Sequence, residues 1–326
     1  MILILTKRND ASTNRIIDWL LFYKEDFLRI NGDDDATQFT EISNDKIVVE
    51  QHGVSYNLLD FDCIWFRRSA FSSKSFSYNY EEEVLKQVLF NNTKAIPNRI
   101  KAELRTILDY VYYKIEASGG KLISSFFKKG LNKLITLSEA KKVGLKIPNS
   151  HILNTKVKLK EVLNKGDVIT KASDEGIYIT NREYGYFTYT EKISKKNIDT
   201  LSDTFFPSFI QSQIKKIYEL RVFYLNGKCY STVIFSQSRK ATSVDHRQYT
   251  ETPMRYLPYE LPVEESHKID VLMKNLGLTI GAIDLIVTQE KEYVFLEVNP
   301  IGQFSFYSDK CNYFLEKDFT ENLIKY

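Results

Sequence analysis

The segment that decides the fold reads Gly281-Ala-Ile-Asp-Leu-Ile-Val287, a polar turn at Gln289-Glu290-Lys291, and then Glu292-Tyr-Val-Phe-Leu-Glu-Val-Asn-Pro300. Apolar residues that alternate on both sides of a short polar turn predict an antiparallel β-hairpin. One register makes every pair on one face apolar, namely Ile283 with Val298, Leu285 with Leu296, and Val287 with Val294. The hairpin is therefore expected to bury that face.

The opposite face of this hairpin carries oxygen-bearing side chains. The same register places Asp284 opposite Glu297, with Asn299 two residues further along that face. Opposed Cβ atoms lie about 4.5–5.5 Å apart, so the two carboxylates repel unless a cation lies between them. Oxygen ligands suit Mg²⁺, which usually leaves positions for substrate phosphates. The pattern favours a metal–nucleotide site; the alternative is that Asp284 faces solvent and Glu297 caps a turn.

The length and composition are those of a folded chain with about two compact units. The chain has 326 residues, of which 43% are hydrophobic, and its 45 Lys and Arg nearly balance its 42 Asp and Glu. A net charge of +3 argues against nucleic acid as a partner. The three cysteines and four histidines lack zinc-ligand spacing. No apolar run approaches the ~20 residues of a membrane span and no signal peptide is evident, which predicts a cytoplasmic protein without a membrane partner.

Turn signals and periodicity predict three domains. An N-terminal α/β domain (1–118) is expected to open with a strand at 2–6 in a parallel sheet and a helix that runs from Ile16 to Leu28. A small α+β lobe (119–207) and a strand-rich lobe (208–326) follow. Further expected elements are helices around 80–92, 98–116, 131–143, 157–165 and 263–276, a type I′ hairpin at Asn226-Gly227, and one closing helix from about 310.

Asp284 followed by Leu296-Glu297-Val298-Asn299-Pro300-x-Gly302 resembles the metal-binding signature of the ATP-grasp carboxylate–amine ligases. The resemblance implies an α/β and α+β chain with the ATP-grasp fold. It would consist of an N-terminal pre-ATP-grasp domain, a small central lobe and a C-terminal antiparallel-sheet lobe. It also implies that Asp284, Glu297 and Asn299 hold the Mg²⁺ ions that bridge the phosphates of ATP.

The same resemblance assigns residues to ATP binding. Lys133, which opens a helix, and Lys171, which ends a strand before the loop to Gly176, would bind phosphate oxygens. That loop departs from the family pattern because Gly176 is its single glycine. Further residues implied are Gln211 and Ile214 at the adenine edge and the Glu219-x-Arg221 pair, whose arginine faces the γ-phosphate. The alternatives are two surface lysines, a buried strand and a cross-strand salt bridge.

A narrower resemblance concerns the substrate. Ile234-Phe-Ser-Gln237 followed by Val244-Asp245-His246-Arg247 and Tyr249 is similar to elements of the graspetide maturases. The stretch from Glu297 to Phe304, with Ser308, Cys311-Asn312-Tyr313 and Leu315-Glu316, resembles their grasp-with-spasm branch. This implies that Asp or Glu side chains of a ribosomally made precursor peptide, with a leader and an acidic core, are joined to Ser/Thr hydroxyls or Lys amines. Macrolactones or macrolactams result.

Four residues are candidates for binding this substrate. Arg67, Arg68 and Arg247 suit carboxylates because a guanidinium pairs with them bidentately, and Asp245 follows from the resemblance. The arginines could instead form structural ion pairs. A homodimer is also implied by the family. His246 stands where many relatives have an aromatic residue, so its role is open.

Two other functions remain open: a ligase that adds an amino acid to a protein tail or small peptide, and a silent nucleotide- or peptide-binding module. The 234–249 elements disfavour the first. Phosphate-binding cations together with metal ligands disfavour the second. The sequence contains no Walker A loop, G-x-G-x-x-G or G-x-S-x-G motif that would favour a rival chemistry.

Overall fold

The computed structural model describes residues 1–68, 71–77, 95–174, 176, 178–180, 184–194, 198–236 and 254–325. Its contacts divide the chain into two compact units, Met1–Lys129 with Phe314–Tyr326, and Gly130–Tyr313. The division into three domains stays a prediction, and its second boundary, at 207/208, falls inside the second unit. The helix expected around 80–92 lies outside the described residues.

The first unit is built on a parallel sheet, as the sequence predicts. The sheet order is β2-β1-β6-β7, with β1 at Ile2–Thr6, β2 at Phe27–Asn31, β6 at Cys63–Phe66 and β7 at Lys121–Ile123. A second, antiparallel sheet holds β3 (Thr37–Ile42), β4 (Ile47–Gln51) and β5 (Val54–Asn57). Helix α1 spans Ala11–Tyr23 and α2 spans Ala95–Glu116. Together these elements enclose one apolar core.

The helix predicted from Ile16 to Leu28 is too long. It ends at Tyr23 because Lys24 adopts a left-handed conformation (φ 58°) and its N–H caps the last turn by donating to the carbonyls of Leu20 and Leu21. Phe27 and Leu28 therefore lie in β2, where Leu28 is buried. Apolar spacing alone did not distinguish the end of the helix from the start of the strand.

A buried ion pair lies at the carboxyl end of this parallel sheet. Asp10 caps α1 by accepting from the N–H of Thr13 at 3.0 Å, and its carboxylate also contacts the Nε atoms of Arg67 and Arg68, each at 3.3 Å. The side chains of Asp10 and Arg67 are 3% and 2% exposed. Burial alone would raise the pKa of Asp10, but the two guanidinium groups and the Thr13 N–H hold it below its ordinary value of 3.8.

Removal of Arg67 should destabilise this unit strongly, because it leaves the Asp10 carboxylate buried with less compensation. We expect Arg67→Ala to lower the free energy of unfolding by about 3–5 kcal/mol. Arg105→Ala, which breaks an exposed pair with Asp109, should cost less than about 1 kcal/mol. Urea unfolding measures both, and equal losses would contradict the prediction.

The same pair predicts a pH dependence. Since the folded pKa of Asp10 is depressed, its stabilising contribution is present above pH 3.8 and is lost as the pH falls through the lower folded pKa. Comparing the pH dependence of unfolding in wild type and Asp10→Asn isolates this contribution.

In the second unit, a four-stranded sheet has the order β12-β9-β13-β8. Its strands are β8 (Ser150–Thr155), β9 (Val168–Thr170), β12 (Glu191–Lys192) and β13 (Thr204–Ser212), and β10 (Tyr178–Thr180) pairs separately with β11 (Gly185–Phe187). Helices α3 (Lys133–Lys142) and α4 (Lys156–Leu163) confirm two predicted helices. Asn132 begins α3 by accepting from the N–H groups of Leu134 and Ile135, so Lys133 opens the helix as expected.

A five-stranded antiparallel sheet, in the order β16-β15-β14-β17-β18, carries the hairpin. Its strands are β14 (Tyr218–Leu225), β15 (Lys228–Phe235), β16 (Arg255–Tyr259), β17 (Ile280–Val287) and β18 (Tyr293–Asn299), and helix α5 (Val263–Asn275) packs its apolar face on the sheet. Asn226 and Gly227 both have positive φ, 44° and 91°, which confirms the predicted tight turn between β14 and β15.

The hairpin register is confirmed at one end and wrong at the other. Ile283 pairs with Val298 and Asp284 with Glu297, as predicted. A β-bulge then shifts the register, so that Leu285 pairs with Phe295 and Val287 with Tyr293, rather than with Leu296 and Val294. The bulge lets Phe295 enter the core with no exposed surface and leaves Leu296 half-buried.

The single closing helix is also wrong. The structure has two short helices, α6 (Ser305–Cys311) and α7 (Leu315–Ile324). Asn312 and Phe314 separate them, since both have a left-handed φ of 52°. Helix α6 belongs to the second unit, whereas α7 belongs to the first. There α7 packs against α1, and its Phe319 contacts Trp65 of β6 at 4.8 Å between ring centroids.

Among the described helices, none combines the length and the hydropathy needed to cross a membrane.

Candidate active site

A cavity of about 280 Å³ in the second unit gathers most of the predicted site residues. It is lined by the three proposed metal ligands, Asp284, Glu297 and Asn299, and by three cations, Lys133, Lys171 and Arg221. Glu219 lines it as well. Residues that lie up to 166 positions apart in the sequence therefore meet in one place.

On the hairpin face that carries the proposed metal ligands, Asp284 and Glu297 are opposed as the sequence predicts. Asp284 and Glu297 are directly paired across β17 and β18, and Asn299 pairs with Ala282 on the same strands. Two carboxylates and an amide oxygen make a donor set that suits Mg²⁺, with phosphate oxygens and water to complete it. In the described part of the chain no three His, Cys, Asp or Glu side chains cluster as a metal site.

The two lysines converge on Glu297. The Nζ of Lys133 lies 3.7 Å and that of Lys171 4.0 Å from Oε2 of Glu297. Lys133 also donates to the carbonyl oxygens of Ala172 at 3.2 Å and Asp174 at 2.8 Å, which fixes it against the loop after β9. Both ammonium groups point into the cavity rather than over the surface, which argues against the surface-lysine alternative.

Arg221 forms an ion pair with Asp284 on the neighbouring strand. Its Nη1 lies 2.8 Å from both carboxylate oxygens, since β14 pairs with β17 in a register that places the two residues opposite each other. Burial would lower the pKa of Arg221, but Asp284, Tyr307 and Glu297 together outweigh burial and raise the pKa. The cross-strand salt bridge named above is therefore present, and it forms one wall of the cavity.

Glu219 is held in place by two hydrogen bonds. It accepts from the Ser236 hydroxyl at 2.6 Å and from the ammonium group of Lys216. It is buried but still lines the cavity, on the same face of β14 as Arg221. The alternation predicted for the Glu219-x-Arg221 pair is confirmed.

The adenine-edge residues stay predictions. Gln211 is 1% exposed in β13, between β8 and β9, and its Nε2 donates to the Ser150 hydroxyl at 2.9 Å. Ile214 follows the strand in irregular chain. Neither is among the described residues that line the cavity.

The structure describes two of the four candidate substrate-binding residues. Arg67 and Arg68 lie in the first unit, where both contact Asp10; this is the structural ion pair left open above, although Arg68 keeps 28% of its side chain exposed. Asp245, Arg247 and His246 lie outside the described residues, as do Gln237 and Tyr249. Their roles stay predictions.

Two cavity residues escaped the sequence analysis. Leu296 reaches the cavity because of the β-bulge beside Glu297. Tyr307, on α6, lies with its ring centroid 5.8 Å from Cζ of Arg221. Burial, partly offset by Arg221, raises the pKa of Tyr307 to about 12. A bulge or an aromatic residue on a short helix leaves no local sequence signal, so neither residue was predictable.

Gly302 lets the turn after β18 pack against β17. A Cβ atom on Gly302 would lie 2.1 Å from the Cβ of Ala282 and 2.9 Å from its backbone nitrogen. The turn also carries a hydrogen bond from the Gly302 N–H to the carbonyl of Asn299, at 3.1 Å. The absence of a side chain at Gly302 therefore lets the turn that follows Asn299 lie close to β17.

Gly302→Ala should consequently destabilise the second unit by about 1–3 kcal/mol through overpacking. Gly130→Ala is the matched control, since its Cβ would meet nothing within 4 Å. Urea unfolding checks the prediction, which is wrong if the two variants lose the same free energy of unfolding.

Comparison with known proteins identifies the fold through solved structures. No family model matches the chain, and no curated protein matches it. Solved structures do match over 99% of the chain, and those named below include an ATP-grasp ligase. The chain has the ATP-grasp fold, which confirms the predicted fold class.

Two of the similar structures contain a bound peptide. The macrocyclase MdnC from Microcystis aeruginosa MRC, bound with the precursor peptide MdnA, has a TM-score of 0.78 and 21% identity over 99% of both chains. A RiPP-associated ATP-grasp ligase from Chryseobacterium gregarium, in complex with ADP and a leader and core peptide, has a TM-score of 0.77 and 23% identity over 99% of this chain and 94% of its own.

A more distant match is the D-alanyl-alanine synthetase A from Vibrio cholerae, with a TM-score of 0.56 and 15% identity over 99% of this chain and 96% of its own. The TM-score is thus higher for the two structures with bound peptides than for this one.

Proposed function

We propose that this protein is an ATP-dependent ligase that crosslinks a ribosomally made precursor peptide. Asp or Glu side chains of the peptide would be activated as acyl phosphates and joined to Ser/Thr hydroxyls or Lys amines. The observation that carries the proposal is the cavity in which the paired Arg221 and Asp284 meet Glu297, Asn299 and two lysines. The substrate class is supported by two of the similar structures, the macrocyclase bound with a precursor peptide and the RiPP-associated ligase in complex with ADP and a leader and core peptide.

The charged groups would have separate tasks. Lys133 and Lys171 would bind phosphate oxygens of ATP, which is supported by their common contact with Glu297 at one end of the cavity. Asp284, Glu297 and Asn299 would hold Mg²⁺, which when bound neutralises charge on the phosphates. Arg221, oriented by Asp284, would direct its remaining N–H groups at the reacting γ-phosphate.

The reaction then needs no covalent enzyme intermediate. A side-chain carboxylate oxygen of the peptide attacks the γ-phosphorus, and the bond from that phosphorus to the bridging oxygen breaks to release ADP. The hydroxyl or amine of a second side chain attacks the acyl carbon, loses its proton and displaces inorganic phosphate. Positioning and charge neutralisation by the residues above supply the catalysis.

Intact-mass analysis tests the proposal. A precursor peptide encoded beside this gene is incubated with the protein, ATP and Mg²⁺. Each ring closed removes the mass of one water, so stepwise losses that require ATP would support a crosslinking ligase. Addition of an amino-acid mass would favour the alternative ligase, and bound ATP with neither change nor ADP release would favour a binding module.

The remaining predictions are separate from this test. A homodimer, the absence of a nucleic-acid partner and a cytoplasmic location stay predictions. Light scattering of the purified protein measures the first, and a molar mass near the 38.1 kDa of one chain would contradict it.

A further inference from the structure

Tyr307 lies in the active-site cavity without an assigned role. Tyr307 belongs to α6, and residues before and after it in the sequence contact the five-stranded sheet. Phe304, just before the helix, packs against Phe223 of β14 with the rings tilted and 4.7 Å between their centroids. Cys311, at the other end, lies with its sulfur 3.3 Å from the Thr232 hydroxyl of β15. Since residues three and four apart share a helix face, these anchors turn Tyr307 toward the sheet.

The ring of Tyr307 covers one side of the Arg221 guanidinium. The distance of 5.8 Å from Cζ of Arg221 to the ring centroid is within the range of cation–π attraction. Asp284 holds the same guanidinium at 2.8 Å. Arg221 is therefore oriented by a carboxylate and by an aromatic ring.

The Tyr307 hydroxyl has no hydrogen-bond partner within the described residues. It is close enough to Arg221, Asp284 and Glu219 that each of their charges acts on it. Asp284 and Glu219 are already bonded to Arg221 and to Ser236, respectively. A phenol keeps its proton at neutral pH, so the hydroxyl is a donor at the edge of a cavity built for anions.

We propose that Tyr307 is a further residue of the ligase site, whose hydroxyl donates a hydrogen bond to the peptide carboxylate that ATP phosphorylates while its ring positions Arg221. This rests on the proposed function. One carboxylate oxygen attacks the γ-phosphorus as the bond to ADP breaks, and Tyr307 retains its proton and binds the other oxygen. The tyrosine thus selects for a carboxylate beside Arg221.

The test separates the hydroxyl from the ring. Tyr307→Phe should lower the rate of acyl phosphate formation about 10- to 100-fold, the cost of one hydrogen bond to a charged group. The rate is measured as hydroxylamine-trapped product with the precursor, ATP and Mg²⁺. The KM for ATP and the affinity for ADP with Mg²⁺, from calorimetry, should stay within about twofold of wild type, because the hydroxyl is assigned to the carboxylate.

Two further variants complete the test. Tyr307→Leu also removes the ring over Arg221 and should lose a further factor of about three to ten. Tyr256→Phe is the matched control, since the Tyr256 ring lies 6.1 Å from that of Tyr307 but does not line the cavity. It should react at the wild-type rate.

The outcomes are distinct. If acyl phosphate formation by Tyr307→Phe stays within about threefold of the wild-type rate, the inference is wrong. It is also wrong if the affinity for ADP falls by the same factor as the rate, because that would indicate a structural or nucleotide-binding role. If wild-type protein forms no ADP with the precursor, the proposed function itself fails. If wild-type protein closes rings and Tyr307→Phe does so equally fast, only the inference about Tyr307 fails.

Discussion

Glu297→Gln is expected to abolish ring closure, with a fall in turnover of at least about 10³-fold, while the protein stays folded. The substitution keeps the shape of the side chain but removes its charge. That charge is the counterion of Lys133 and Lys171, whose Nζ atoms lie 3.7 and 4.0 Å from it, and one of the two carboxylates proposed to hold the metal. Intact-mass analysis of the precursor measures the loss, and circular dichroism checks the fold.

Glu292→Gln is the matched control for this prediction. Glu292 lies just before β18, is 44% exposed and contacts Lys146 on the surface rather than the cavity. The same chemical change should leave turnover within about twofold of wild type, because an exposed ion pair contributes little. Full activity in Glu297→Gln would show that the metal assignment is wrong.

Arg221→Lys should lower turnover about 10²- to 10³-fold although it keeps the positive charge. Nη1 of Arg221 contacts both oxygens of Asp284 at 2.8 Å, which leaves its other N–H groups in fixed directions. A lysine ammonium can replace the ion pair or reach the γ-phosphate, but it lacks the planar geometry to do both. The KM for ATP should change less than turnover, since the lysines and the metal ligands remain.

Arg255→Lys provides the comparison. Arg255 is an exposed arginine of β16 whose contact is with the ring of Phe235, at 5.8 Å, and we expect it to tolerate the change. Steady-state kinetics of both variants check the prediction. Equal turnover in the two would mean that Arg221 is only a structural ion pair.

Local patterns predicted much of the site. Alternation along β14 placed Glu219 and Arg221 on one face, and alternation along β17 and β18 paired Asp284 with Glu297. The dipeptide Asn226-Gly227 predicted the turn between β14 and β15 because both residues tolerate positive φ. The resemblance to ATP-grasp ligases then related Lys133 and Lys171 to the same site, and the cavity contains both.

Other predictions failed or remain untested for reasons that lie beyond local pattern. The register below Asp284 was wrong because the bulge at Leu296 depends on how Phe295 fits the core, not on alternation. The charge of Arg67 indicated a substrate contact, but its burial beside Asp10 makes it a structural partner of α1. Gln211 and Ile214 do not reach the described cavity.

The amino-acid sequence by local pattern predicted several of the strands, the turn at Asn226-Gly227 and the charged residues of the cavity, because side-chain periodicity and turn conformations depend on near neighbours. Which residues that are distant in sequence line the same cavity is seen in the tertiary structure alone. Arg221 reaches Asp284 because β14 lies beside β17, and Tyr307 reaches Arg221 because Phe304 and Cys311 pin α6 to the sheet. Such contacts join residues that are remote in sequence, and they depend on packing of the whole core rather than on any local pattern.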